Sequence, residues 1–265
     1  MNIKQILIRT HWFMSSQIGF DLRRFLYSLR GVSRYINDAL KFRRLYSGRI
    51  KYLPCLHDWF EEGGNTKNEY FWQDLLVARQ IFEVCPERHV DVGSRVDGFV
   101  AHVASFREIE IFDVRPIYTT IPNVVFKQAD LMSQANRETY CDSLSCLHAL
   151  EHFGLGRYGD PIDPLGSERG LKNMASLLKE GGIFYLSVPI GIERVEFNAN
   201  RVFDPSKLIT LAEQHLLQFQ FLTVISESGV IEKVDPNSQR LKELAAITYA
   251  LGLFTFRKVQ SRVHN

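Results

Sequence analysis

Apolar residues recur along this chain in two rhythms, and the change between them divides it. Through "FDLRRFLYSLRGVSRYINDALKFRRLY" the large apolar side chains fall three and four positions apart with basic residues between them, the spacing of amphipathic helices. Two or three short helices are expected in residues 1–51. A loop containing "EEGGNTKNE" follows, and "YFWQDLLVARQIFEVC" reads as an amphipathic helix leading into a first strand. From there compact β-rich runs at 89–92, 109–114, 124–129, 143–150 and 183–189 alternate with helical patterns that include 99–106 and 171–179. Strands alternating with helices imply parallel pairing through right-handed crossovers, so the expected fold is α/β, a Rossmann-like, doubly wound, mostly parallel sheet. The tail differs. After a helix near 204–217, "QFQFLTVISESG" and "ITYALGLFTFRKV" read as two further strands, antiparallel to each other. The expected division is an N-terminal basic helical segment or cap over 1–75 and a sheet domain over 76–265.

Charge sharpens that division. The net charge is only +2, but residues 1–51 hold 11 Lys and Arg against 2 acidic residues, or +9, which leaves −7 for the other 214 residues. Two readings of the segment stand: docking on an anionic membrane surface or partner, or a helical cap with a solvated basic face. Nucleic acid is not expected as a partner, because the basic residues lie outside the sheet domain and that domain is acidic. Four cysteines without C-x-x-C spacing read as reduced thiols. With no apolar run of membrane-spanning length and no secretory leader pattern, the expected location is cytoplasmic, with peripheral contact at the inner membrane face through residues 1–51.

Ligands of a doubly wound sheet sit beyond the carboxyl ends of its strands. At the first such end, in "HVDVGSRVDGFVAHVASF", Asp91 closes the strand, Gly93 allows a tight turn and Gly98 opens the next helix. The second strand ends at Asp113, about 20 residues on, where a carboxylate can accept both hydroxyls of a ribose. The third ends in "KQADL", which puts Asp130 on the same edge, placed to receive an exocyclic amine. The loop after the fourth strand gathers His148, Glu151, His152, Arg157, Tyr158, Asp160 and Asp163. His152 is the candidate general base, and Glu151 either orients it or contacts the cofactor. "GIERVEFNANRVFDP" brings Arg194, Asn198, Asn200 and Arg201 towards that edge, a set suited to a sugar bearing carboxylate or phosphate, or else solvated surface charge. The spacing H-x-x-E-H at 148–152 also matches an inverted zinc-protease motif, but the preceding "CDSLSCL" reads as a strand and not as the long helix that motif needs. G-x-G-x-x-G is absent, which disfavours a nicotinamide oxidoreductase.

From about residue 85 onward the chain resembles the class I S-adenosylmethionine-dependent methyltransferases. The likeness rests on "DVGS", "FDV", "ADL", "LHALEHFG" and "LLKEGGIFYLSVP" at successive strand ends, and on the closing "LFTFRK". It implies S-adenosylmethionine as cofactor, held by Asp91, Gly93, Ser94, Arg95, Asp113, Asp130, Leu131 and His148, with the loop after the fourth strand facing the sulfonium. More narrowly, "SCLHALEHFGLGRYGDPIDPLG" and "FNANRVF" are similar to an uncharacterised family of predicted methyltransferases, some associated with surface-polysaccharide synthesis. That likeness implies O-methylation of a sugar or glycan intermediate, lipid-linked in some systems, with Arg157, Tyr158, Asp160, Asp163, Arg194, Asn198 and Arg201 on the acceptor side. One departure stands out. Arg95 and Asp97 occupy the places of the family's second and third alternating glycines. Either Arg95 pairs with the carboxylate of the methionine moiety, or its side chain fills the pocket and the chain is a degenerate binding or scaffold protein. Asp97 reads as a helix-entry cap.

Overall fold

The computed structural model describes residues 3–64, 66, 68–133, 139–226, 229–235 and 239–260. The chain forms two compact units, Met1–Asn65 and Thr66–Asn265.

In the first unit, helix α1 (Ile3–Phe13) runs through a π-helical turn at Met14–Ile18 to Gly19, where φ is +81°. Helix α2 (Leu22–Leu45) starts at Asp21, whose carboxylate accepts the N–H groups of Arg23 and Arg24 at 2.8 and 3.2 Å. The expected short helices are therefore two, one of them 24 residues long. Gly31 does not break α2, because the helix backbone presses there against residue 56: a Cβ on Gly31 would lie 2.0 Å from the Leu56 carbonyl oxygen. Beside that contact Tyr27 stacks on Phe60 at 5.2 Å and Arg34 lies over Trp59 at 4.1 Å.

The second unit opens with α3 (Glu69–Val84), capped by the Asn68 side chain on the Tyr70 N–H. Its sheet has eight strands in the order β3-β2-β1-β4-β5-β10-β8-β9. β1 (His89–Val92), β2 (Ile109–Asp113), β3 (Val124–Gln128), β4 (Cys141–Leu147) and β5 (Leu178–Ile190) are parallel. β10 (Ala250–Lys258) enters antiparallel between β5 and β8 (Leu217–Ile225), and β9 (Ile231–Val234) pairs antiparallel with β8. The expected fold is thus the observed one. β1 and β2 are buried along their whole length, as strands covered on both faces are, and His89, Asp91, Glu110 and Asp113 interrupt their apolar residues as buried polar groups.

Two apolar clusters flank the sheet. Val77, Ile81, Phe99 and Val103 pack on Ile109, Ile111, Leu147, Tyr185 and Leu253. Alternate residues of the same strands, among them Phe112, Cys146, Leu186 and Phe254, join the cluster formed with α5 (Gly166–Leu177) and α6 (Pro205–Gln214).

Several boundaries differ from expectation for local reasons. β4 ends at Leu147 and not at 150, because His148 has a φ of +52° and turns the chain out of the sheet. β5 begins at Leu178, so it takes over the end of the expected helix at 171–179. The helix expected over 99–106 is a π-helical turn at Val96–Val100, kinked at Gly98, running into the four-residue α4 (Ala101–Ala104). The strand expected at 218–229 is described to Ile225, and residues 227 and 228 of that expectation lie outside the described residues. A hairpin of β6 (Arg194–Glu196) and β7 (Asn200–Val202), together with β9 and α7 (Arg240–Leu244), adds elements that the apolar pattern did not separate.

Candidate functional site

The first turn is held from below. Asp91 is fully buried; its carboxylate accepts the hydroxyls of Ser94 and Ser145, both at 2.6 Å, and the Ser94 N–H at 3.0 Å. Burial pushes its pKa up to about 6 against the pull of these three donors. The Ser94 oxygen in turn accepts the Leu147 N–H at 3.2 Å, which ties the turn to the end of β4. Asp91 and Ser94 therefore shape the turn and offer no free edge to a ligand in this conformation. Gly93 has a φ of +72°, donates its N–H to Phe112, and leaves only 3.0 Å between an added Cβ and that of Ala149. Arg95 does not fill the space above the turn. Its side chain is 61% exposed, bidentate on Asp97 at 2.8 and 3.1 Å and 5.6 Å from the centre of the Tyr70 ring. Asp97 thus pairs with Arg95 and makes no cap hydrogen bond, and the kink at Gly98 leaves less than two turns of helix behind it.

At the second strand end a residue absent from the sequence-based candidates takes the central place. Arg115 closes on Asp113 with Nε at 3.0 Å and Nη2 at 2.6 Å, adds its own backbone N–H at 2.8 Å, and reaches the Gly93 carbonyl at 3.4 Å. Both oxygens of the expected ribose acid are engaged. The guanidinium lies 4.5 Å from the ring centre of Tyr158, and that of Arg157 lies 5.3 Å from the same ring. The "DVR" at 113–115 was the only available sign of this clamp. Asp130 is half-buried, with one oxygen accepting the Met132 N–H, and Leu131 is in the core.

The fourth strand end carries a buried charge cluster. His148 Nδ1 lies 2.8 Å from Glu151 and its Nε2 lies 3.4 Å from Glu69, while its backbone N–H reaches Ser187. Burial disfavours the charged ring, but the two carboxylates outweigh it and raise the His148 pKa to about 9. Burial likewise works against Glu69, yet the neighbouring His148 holds it below the ordinary carboxylate range, and Tyr249 donates to it at 2.7 Å. Tyr70, its hydroxyl raised to about 12 mainly by burial, lies ring to ring with His148 at 4.6 Å. Next along α3, Gln73 bonds the Ser187 hydroxyl and the buried Asp74, whose carboxyl burial pushes up. Glu69, Tyr70, Gln73 and Asp74 were read only as parts of an amphipathic helix. Their polar atoms converge on the sheet because α3 crosses the strand ends, which spacing along one helix does not reveal.

His152 is built differently from His148. Its Nδ1 is 2.7 Å from the Ala199 carbonyl, so in the neutral ring that nitrogen carries the proton and Nε2 holds the lone pair, 3.6 Å from Glu151. Burial lowers its pKa. The two histidines of one turn thus take opposite states near neutrality, His148 charged and His152 neutral. Leu150–His152 is a single 3-10 turn after a strand, so the H-x-x-E-H residues do not have the long-helix setting of the zinc-protease motif. One oxygen of Glu151, Oε2, is buried without a hydrogen-bond donor.

Much of the expected acceptor side is spent on the loop itself. Asp160 accepts the N–H groups of Gly154, Gly156 and Tyr158 at 2.8 to 3.2 Å. Asp163 accepts from Leu165 and pairs with Arg169 at 3.0 Å. Arg201 is buried and donates to the carbonyls of Glu151, Phe153 and Pro164. Arg194 holds Glu196 and the carbonyls of Ile192 and Thr248. Asn198, at a φ of +64°, makes the turn between β6 and β7, and Asn200 bonds the Arg201 carbonyl. Arg157 and Tyr158 stay exposed, Arg157 donating to the Ala199 carbonyl at 2.9 Å.

Residues 123–259, from the start of β3 through β10, match the family model described as "Caenorhabditis protein of unknown function, DUF268". The chain belongs to that DUF268 family. The family's matched region contains the fourth strand end and its loop but not the first turn or Asp113. No curated protein matches the sequence. Among solved structures, the 4+2 cyclase SpnF shares the fold at a TM-score of 0.51 and 16% identity, over 71% of this chain and 82% of that one. The 1,6-didemethyltoxoflavin-N1-methyltransferase of Burkholderia thailandensis, solved with 1,6-didemethyltoxoflavin and S-adenosylhomocysteine bound, does so at 0.50 and 14%, over 77% and 81%. The DUF268 chain therefore has the methyltransferase fold, and the cyclase shows that this fold is not by itself a reaction.

Proposed function

We propose that the protein is an S-adenosylmethionine-dependent O-methyltransferase acting on a sugar or glycan intermediate, lipid-linked at the inner membrane face and of the kind used in surface-polysaccharide synthesis. The observation that carries this reading is one edge of the sheet, where the Gly93 turn, Asp113 and Asp130 end adjacent parallel strands and His152 follows the next. The residues that fit an adenosyl group are the glycine turn, where an added Cβ would press on Ala149, and the two acids; Arg115 has to leave Asp113 for the ribose to take its place. Gly93, Asp113 and Asp130 would hold the cofactor, and Arg95, exposed and paired with Asp97, would meet its carboxylate by exchanging that partner. When bound, S-adenosylmethionine supplies a methyl group activated on a sulfonium. His152, neutral with its lone pair on Nε2, takes the proton from the acceptor hydroxyl, while Glu151 holds the buried charge that favours the resulting imidazolium. The charged His148 cannot accept that proton near neutrality and serves to fix Glu151. Arg157 and Tyr158 support a sugar acceptor, an aromatic face for the ring and a guanidinium for an acidic substituent.

A second reading rests on the Arg115 clamp: a binding or scaffold protein in which Asp113 never receives a ribose. Calorimetric titration with S-adenosylmethionine and S-adenosylhomocysteine, beside an Asp113→Ala control, separates the two. Saturable binding that the control loses supports the enzyme; no binding by a folded sample supports the scaffold. Methyl transfer to candidate glycans, lost by about 100-fold or more in His152→Ala, tests the acceptor class and the base together. Transfer only to a non-glycan acceptor would refute the sugar assignment.

A further inference from the structure

The first unit leaves a long apolar stripe uncovered. In α2 the residues Leu22, Phe25, Leu29, Val32, Ile36 and Leu40 recur three or four positions apart, which places them on one face of the helix. All six are exposed, from 38% at Val32 to 57% at Leu40. Apart from Phe25, whose ring lies 5.9 Å from that of Phe20, the stripe faces away from the contacts that α2 makes within its unit through Gly31, Tyr27 and Arg34. Alongside the stripe α2 carries seven Lys and Arg and a single acid, Asp38. In α1, Ile6, Leu7, Ile8 and Trp12 are exposed as well.

Charge decides what such a stripe fits. A second copy docking stripe to stripe would bring two sets of seven cations together with little acid to answer them, a repulsive arrangement. An anionic bilayer offers apolar depth for the stripe and phosphate-level charge for the flanking cations, whose long stems reach back to the headgroups. We propose that α2 lies in the plane of an anionic phospholipid surface, its Leu22-to-Leu40 stripe inserted below the headgroups and Arg23, Arg30 and Lys41 paired with lipid phosphates. Among the described residues no helix is long and apolar enough to cross a membrane, so the contact is interfacial. It does not depend on the methyltransferase reading, since no residue of the sheet edge takes part.

The test is sedimentation of the full chain with vesicles of phosphatidylcholine alone and of phosphatidylcholine with about one-third phosphatidylglycerol. Binding is expected to the anionic vesicles only, to weaken as salt rises, and to fall roughly fivefold for each cation removed in Arg23→Gln and Arg30→Gln. Leu29→Asp/Ile36→Asp places charge on exposed positions, so the fold persists by circular dichroism while vesicle binding is lost. Absence of binding to anionic vesicles, or equal binding to both compositions, would overturn the proposal. So would a dimer in analytical ultracentrifugation that this double variant dissolves, since the stripe would then belong to a second copy.

Discussion

Residue-scale chemistry at the sheet edge is governed by which charges are already paired. Arg115 competes with any ribose for Asp113, yet 41% of its side chain is exposed, so water screens the pair and its net worth is about 1 kcal/mol. Arg115→Ala is therefore expected to raise the affinity for S-adenosylhomocysteine roughly fivefold by calorimetry. His148 gives a second outcome. Its folded pKa of about 9 lies above the ordinary histidine value of 6.5, so its stabilisation is complete below pH 6.5 and is lost as pH rises through 9. The melting temperature should fall across that window, and less steeply in Glu151→Gln, where one of the two carboxylates holding the proton is gone. The pairings behind both predictions were only partly readable. His148, Glu151 and Asp113 were visible as chemistry, but neither Arg115 nor Glu69 was among the candidates.

Elements decide how much of the candidate loop is free to bind anything. Residues 153–165 hold four of the charged or aromatic candidates, Arg157, Tyr158, Asp160 and Asp163, and the loop keeps its shape because Asp160 gathers three of its N–H groups. Asp160→Ala should cost about 2 kcal/mol in urea denaturation, the scale of hydrogen bonds to a charged acceptor, with no change in the slope of the transition. Gly154, at a φ of +76°, sits so close to residue 163 that a Cβ would lie 2.0 Å from its carbonyl oxygen, which explains why this glycine is needed where a turn signal alone could have come from any of several residues. A sequence shows that a loop is rich in polar groups. Whether those groups face a ligand or one another depends on the loop's closure, and here Asp160, Asp163 and Arg201 are turned inward.

At the scale of the whole molecule, both apolar clusters of the sheet draw only on residues from 76 onward. A chain beginning at residue 66 should accordingly unfold in a single cooperative step in calorimetry, near the temperature at which the sheet unit melts in the full protein. Loss of cooperativity in that fragment would mean that the first 65 residues are needed to complete the core.

The fold class was determined by the sequence itself, because short β-rich runs alternating with amphipathic helical segments leave parallel pairing through crossovers as the way to bury both, so local composition carries the architecture. The basic, apolar-striped character of α2 was equally legible, since a helix face is set by spacing within one segment. What only the tertiary structure decided was burial and pairing: that Asp91 is buried under its own turn, that Arg115 folds back on Asp113, that α3 brings Glu69 to His148, and that His152 is neutral while His148 is charged. Those states arise from desolvation and from which neighbours, near or distant in the chain, the folded backbone turns towards each group, and neither is written in the spacing of the residues concerned.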